Sequence, residues 1–287
     1  MAKSKVDVYQ IVTDKILALI AEGTVPWHKP WKGTAPMSMS TGKPYRGINV
    51  FLLEDGWHGT YKKITELGGQ IRKGEKSAVA VFWSFIEKEK ADGSIDKVAF
   101  LRYYRVFHAS QADWPDGMPA RFSTQGEANE ADRITAAEQV VAGYVKGDNG
   151  PSLSHGGGSA SYNPRTDAVR MPELTAFDSV DAYYSTMFHE LGHSTGHASR
   201  LNREGVTDFD MFGSHRYAQE ELVAEMTAAM VSGALGIDST IETSAAYLDH
   251  WAGQIGSDPK LIVRAAGQAQ KAADLIQGIT WEKADDD

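Results

Sequence analysis

The 287-residue chain contains no cysteine. Its absence excludes disulfides and thiolate metal ligands, and it fits a reducing compartment such as the cytoplasm. No run of about 18 apolar residues occurs, which excludes a membrane-spanning helix and a membrane as partner. The N-terminus, MAKSKVDVYQ, lacks the apolar stretch of a signal peptide, so a cytoplasmic location is expected. Internal repeats are absent as well. A net basic charge is also lacking. The formal charge is −9, which for the whole chain argues against a polyanionic partner.

The distribution of charge reverses that reading. Residues 1–125 carry 18 Lys and Arg against 13 Asp and Glu, a net +5; residues 126–287 carry 11 against 25, a net −14. Such asymmetry between halves points to a first half that faces polyanions. With 42% hydrophobic and 23% charged residues, the composition is that of a packed globular protein, long enough for two domains. Asp113 to Asn129 is rich in Pro, Gly, Asp and Ser without periodicity, and reads as a linker around residues 113–130. The expected division is 1–125 and 131–287.

In the first half, VDVYQIVTDKILALIA has apolar residues at helical spacing and is followed by Gly23. VPWHKPWKGTAP is broken by proline and places Trp27 and Trp31 among Lys29 and Lys32. TGKPYRGINV adds Lys43, Tyr45 and Arg46; GGQIRKGEKS adds Arg72, Lys73 and Lys76. Aromatics interleaved with cations make a platform on which unpaired bases stack while their phosphates are held. SAVAVFWSFIE and VAFLRYYRVFH are β-branched and aromatic, hence paired strands joined across Asp92-Gly93. This half reads as a small α+β domain with a basic, aromatic-rich surface.

In the second half, SASYNPRTDAVRM reads as a short hairpin, followed by an amphipathic helix over Ser179–His197 that carries MFHELGHSTGH. Residues four apart share a helix face, so His189 and His193 can offer imidazole nitrogens to one metal ion, with Glu190 beside a metal-bound water. Three candidates exist for the third ligand. Ser199 stands where the metzincin pattern has its histidine, which rules that pattern out. His197 shares the spacing but follows Gly196, where the helix is expected to break. YAQEELVAEM offers Glu221, with Glu225 one turn on, as in gluzincins. There one carboxylate binds metal and the other fixes the tautomer of a ligand histidine. Glu221 is the expected ligand, Glu225 and His197 are its alternates or supports, and His215 or Tyr217 is an oxyanion donor by proximity to Glu221. Two imidazoles and a carboxylate favour Zn²⁺, with Mn²⁺ or another divalent ion as alternatives. The expected class is α+β, with a mainly helical second half containing a short sheet.

Together, YQIVTDKILALIAEGTVPWHKPW, TGKPYRGINV, IRKGEKS and YRVFH resemble the single-stranded-DNA-binding domain of ArdC-type antirestriction proteins. MFHELGHSTGH with YAQEELVAEM is similar to the zincin-like metallopeptidase domain those proteins carry. The resemblance implies carriage on a conjugative plasmid or similar element, binding of single-stranded DNA, and protection of incoming DNA from host restriction enzymes. It places the family's metal positions at His189, His193 and Glu221, and its catalytic glutamate at Glu190. The partners implied are single-stranded DNA and a host restriction enzyme or other protein substrate. A reading of a different class keeps the DNA-binding and enzyme-blocking roles and leaves the zincin fold as scaffold.

Overall fold

The computed structural model describes residues 7–28, 35–89, 95–122, 129–207, 215–238 and 244–280, without the side chains of 88–89, 95–97, 207 and 215–217. The chain is α+β. The first half opens with helix α1 (Val8–Ala21), capped by Asp7, whose carboxylate accepts from the Tyr9 N–H at 3.0 Å. It continues through β1 (Pro36–Ser38), α2 (Asn49–Leu52), β2 (Gly56–Gly59), α3 (Tyr61–Glu66), β3 (Gln70–Ile71), β4 (Ala78–Glu89), β5 (Ile95–His108) and β6 (Ala112–Asp113). The four-stranded sheet has the order β1-β2-β5-β4, with β1 and β2 parallel and the other pairs antiparallel. β4 and β5 form a long ribbon in register from Ala78 opposite Val106 to Glu89 opposite Ile95.

The second half starts with α4 (Glu130–Val145), followed by β7 (Ser152–His155), β8 (Ser161–Asn163) and β9 (Ala168–Met171). The expected hairpin is β8 against β9, antiparallel, and β7 adds a parallel strand on the other side. His155 ends β7, and its Nε2 lies 2.8 Å from the Tyr183 hydroxyl. Then come α5 (Val180–Ser194), α6 (Glu204–Thr207), α7 (His215–Leu235), α8 (Ala245–Ser257) and α9 (Leu261–Ile276). No described helix is long and apolar enough to cross a membrane.

One hydrophobic core runs through both halves. Val12, Ile16 and Ile20 of α1, and Phe51 of α2, join Met187, Leu191, Met226, Trp251 and Ile262 in a single buried cluster. Polar bonds cross the same seam. The Thr13 hydroxyl donates to the Pro259 carbonyl at 2.9 Å, the Gly47 N–H donates to Gln270 Oε1 at 2.8 Å, and Arg46 pairs with Asp274.

Trp27 corrects an expectation here. Placed by the sequence on a stacking platform, it is 1% exposed. Its ring packs edge-on against Trp251 at 6.1 Å, and its Nε1–H donates to Glu225 Oε2 at 2.7 Å. The proline-broken segment brings the indole inward because a large aromatic with one donor is best satisfied against an apolar wall that holds one buried acceptor. No face is left for a base.

A shared core makes the halves one cooperative unit. Calorimetry should therefore show a single unfolding transition. Ile16→Ala should lower the stability of that whole transition by about 2–5 kcal/mol. Two resolved transitions, with the mutation moving only one, would contradict this.

Candidate metal centre

The Ser179 hydroxyl starts α5 by accepting from the Ala182 N–H at 3.0 Å. The helix buries Tyr184, Met187, Phe188 and Leu191 and leaves His189 and His193 on one side, one turn apart. α7 runs beside it. The two approach closely at Gly192, where a Cβ would stand 3.3 Å from the Cα and carbonyl oxygen of Ala224. A second glycine, Gly196, lets the chain leave the helix under Arg203, since a Cβ there would lie 2.9 Å from the guanidinium.

This approach brings three ligand-type side chains together. His189 Nε2 and His193 Nε2 are 3.1 Å apart; Glu221 places Oε1 3.1 Å from the first and Oε2 3.6 Å from the second. Ligand atoms held tetrahedrally about 2.05 Å from one Zn²⁺ are about 3.3 Å apart, so the spacing matches a single divalent ion. Among the described residues, this is the group of histidines and carboxylates able to hold a metal ion. Burial opposes charge on His189, but the hydrogen bond and field of Glu221 outweigh it and raise its pKa. Glu190 follows His189, is buried, and has no hydrogen bond or ion pair with a described residue.

The supporting carboxylate differs from the expected one. His193 Nδ1 faces Glu220 Oε1 at 3.4 Å, which leaves Nε2 as the free lone pair for a metal. Arg203 holds Glu220 through two bonds, Nε to Oε2 at 2.8 Å and Nη2 to Oε1 at 2.6 Å. Its Nη1 donates to Thr195 Oγ1 at 2.6 Å and its Nη2 to the Gly192 carbonyl at 2.8 Å. Burial pushes Glu220 up, but Arg203 and then His193 outweigh it and hold its pKa below the ordinary value. Glu225 is not the histidine's partner. Four residues beyond Glu221 it lies about 6 Å further along α7, where Trp27 and the Tyr247 hydroxyl bind its Oε2. Burial raises its pKa to about 6, against the pull of Tyr247.

His197 is likewise outside the cluster. Past the helix end, its Nδ1 lies 2.9 Å from the Ser199 hydroxyl and 3.9 Å from Asp167. His215 and Tyr217 sit in the first turn of α7, but their side chains lie outside the described residues. Lys29, Trp31 and Lys32 lie outside them altogether. Arg203 carried no sequence signal, because it stands in an irregular stretch. Glu220 was visible only as one of three neighbouring glutamates.

Comparison with known proteins agrees with both halves. Residues 6–107 match the model of the N-terminal domain of anti-restriction factor ArdC, and residues 137–268 match that of a zincin-like metallopeptidase. The metal-free crystal structure of antirestriction protein ArdC from plasmid R388 superposes with a TM-score of 0.75 at 36% identity, over 96% of this chain and 98% of that one. The chain belongs to the ArdC antirestriction family. The Mn(II)-bound structure of the same R388 protein superposes with a TM-score of 0.73 at 37% identity. The uncharacterized protein y4eC of Sinorhizobium fredii is 34% identical over 94% of this chain and 91% of its own length. Two Escherichia coli proteins named DNA primase TraC are 35% and 34% identical, but the chain spans 20% and 27% of their lengths.

On the ArdC-type N-terminal half, Lys43, Arg72, Lys73 and Lys76 are exposed. Arg72 is tied down by Glu75 at 3.0 Å and Asp113 at 3.4 Å. Tyr45 is half-buried, with its hydroxyl 3.3 Å from that of Tyr104, and Arg46 is the partner of Asp274. The exposed aromatics are elsewhere. Phe82, Trp83 and Phe85 on β4 are 42%, 50% and 59% exposed, and Phe82 stands directly across the ladder from exposed Arg102. Their strand has apolar residues on both faces, a pattern that reads as burial.

Replacing His189 or His193 by Ala should abolish stoichiometric metal binding, measured by elemental analysis, and Glu221→Ala should weaken it strongly. Gly192→Val should do the same without touching a ligand, by forcing α5 and α7 apart. Arg203→Leu should weaken affinity by about 10–100-fold through loss of Glu220's orientation. Glu220's depressed pKa gives stability that is present above its unfolded value and lost as pH falls through the folded one. In the Arg203→Leu variant that pKa rises, so acid unfolding should move to higher pH.

Proposed function

We propose that this protein is an antirestriction protein of a conjugative plasmid or similar mobile element. It holds single-stranded DNA on its first half and carries a zinc-dependent peptidase-type centre on its second. It acts in the cytoplasm, and its partners are unpaired DNA and a host restriction enzyme or another protein substrate. The observation that carries the peptidase reading is the convergence of His189, His193 and Glu221 with Glu190 adjoining.

Zn²⁺ suits two imidazoles and a carboxylate, and when bound it acts as a Lewis acid that acidifies water and polarises a carbonyl. Glu190 takes the proton as water attacks the scissile carbonyl and returns it to the leaving amine. Glu220 and Arg203 keep His193 in the required tautomer. β8 is an edge strand along α5, and an extended peptide can pair with such an edge.

The DNA reading is supported by the ribbon aromatics. A groove of about 500 Å³ beside Phe82 and Trp83 also has Tyr45, Tyr104, Arg46 and Lys271 in its walls. Flat rings beside cations suit a strand whose bases are already unpaired.

Glu190→Gln should keep the metal and abolish hydrolysis. If protection of incoming DNA in cells survives that change, protection comes from binding alone and the zincin half is scaffold for it. Trp83→Ala and Phe85→Ala should weaken single-strand binding about tenfold with the salt slope unchanged, since stacking contributes roughly 1–3 kcal/mol per base. Arg102→Ala should instead reduce the slope. Fluorescence anisotropy across several salt concentrations separates the two effects.

A further inference from the structure

Beside the metal-binding cluster, between α5 and α7, lies a cavity of about 210 Å³. His189 stands at one end, and Trp27, Ala228 and Ala229 give it apolar walls. His28, Glu225, Ser185 and Thr186 complete it, and none of its lining residues is Lys or Arg. The volume is below the 300–1,000 Å³ of ordinary small-molecule sites, so it suits one side chain rather than a cofactor.

Its polar groups are specific. Glu225 Oε2 accepts from the Trp27 indole at 2.7 Å and from the Tyr247 hydroxyl, and His28 Nε2 lies 3.8 Å from it. No described residue hydrogen-bonds Oε1, which leaves this oxygen for the cavity that Glu225 lines. Tyr247 spends its only proton on Glu225. The His28 Nε2, 3.2 Å from the Tyr247 oxygen, is therefore the donor in that contact. With that proton on Nε2, the neutral ring presents a lone pair at Nδ1, and Nδ1 is buried without a partner. The cavity thus offers the Oε1 acceptor and its negative charge, with no matching cation. An aliphatic stem against Trp27 and the alanines, ending in a cation at Glu225, satisfies both features.

We propose that this cavity is the side-chain pocket of the peptidase-type site and takes a lysine or arginine next to the scissile bond. The proposal rests on the metal-dependent peptidase reading given above. It assigns the substrate class as proteins with an accessible basic residue in an extended segment. Because Trp27 and His28 come from the first half and the other walls from the second, the pocket exists only where the halves are docked.

A series of peptide hydroxamates, identical except for the side chain next to the metal-binding group, tests this on the zinc-loaded full chain by calorimetry. The side chains are lysine, its neutral analogue norleucine, and glycine. The lysine compound should bind about tenfold or more tightly than the norleucine one. Glu225→Gln should erase that difference with zinc stoichiometry unchanged. Ala228→Leu, which fills the pocket, should weaken both relative to glycine. Equal binding of lysine and norleucine compounds to the wild type, or a preference that survives Glu225→Gln, overturns the proposal alone. Loss of zinc from Glu225→Gln overturns it by assigning Glu225 to the metal. Failure of every hydroxamate to bind, glycine included, overturns the peptidase reading and this proposal with it.

Discussion

The close approach of α5 and α7 at Gly192 is the constraint on which the second half depends. The histidines belong to one helix and the carboxylate to the other, so the three can share an ion only if the helix backbones nearly touch. A side chain at Gly192 would meet the Ala224 backbone, which cannot move aside as a flexible side chain would. Ala224 completes the arrangement from the facing helix, fully buried and small. The ligand distances are therefore set by backbone packing in a close-packed interior.

Three glutamates on α7 show how position on a helix sorts one residue type into three environments. Glu221 faces the histidines. Glu220, about 100° around the helix, faces Arg203 and the far side of His193. Glu225, one turn along, meets Trp27 and Tyr247. Each buried carboxylate has a different partner, as the cost of burying unpaired charge requires. The two whose environments shift them in a stated direction diverge. Arg203 holds Glu220 ionised, whereas burial leaves Glu225 closer to neutrality.

Trp27 links this cluster to the other half of the molecule. Its indole lies in the core that α1 shares with α8, and its N–H reaches a carboxylate one turn from the proposed ligand. The first half thereby supplies part of the wall beside the candidate metal centre. The seam itself combines a shared apolar core with a few polar links, among them the Arg46–Asp274 pair.

The elements were largely legible in the sequence, since the apolar spacing of VDVYQIVTDKILALIA, the amphipathic stretch from Ser179 and the β-branched ribbon strands express local rules. The histidine pair was legible for the same reason: i and i+4 share a face on any helix. Residue order also separated the charges of the two halves. What lay beyond it were facts about which faces meet. The assignment of support to Glu225 rather than Glu220 failed because spacing says that two residues share a face, and not which neighbour that face meets. Arg203 arrives from an irregular stretch that has no periodicity to read. Trp27 left its expected place on a stacking platform for the core, because an aromatic among cations looks the same as core or surface until the partner surface is known. Local pattern determined the helices, strands and histidine pair. Tertiary packing alone decided which carboxylate, arginine and tryptophan completed the site, because those contacts join residues that no periodic rule connects.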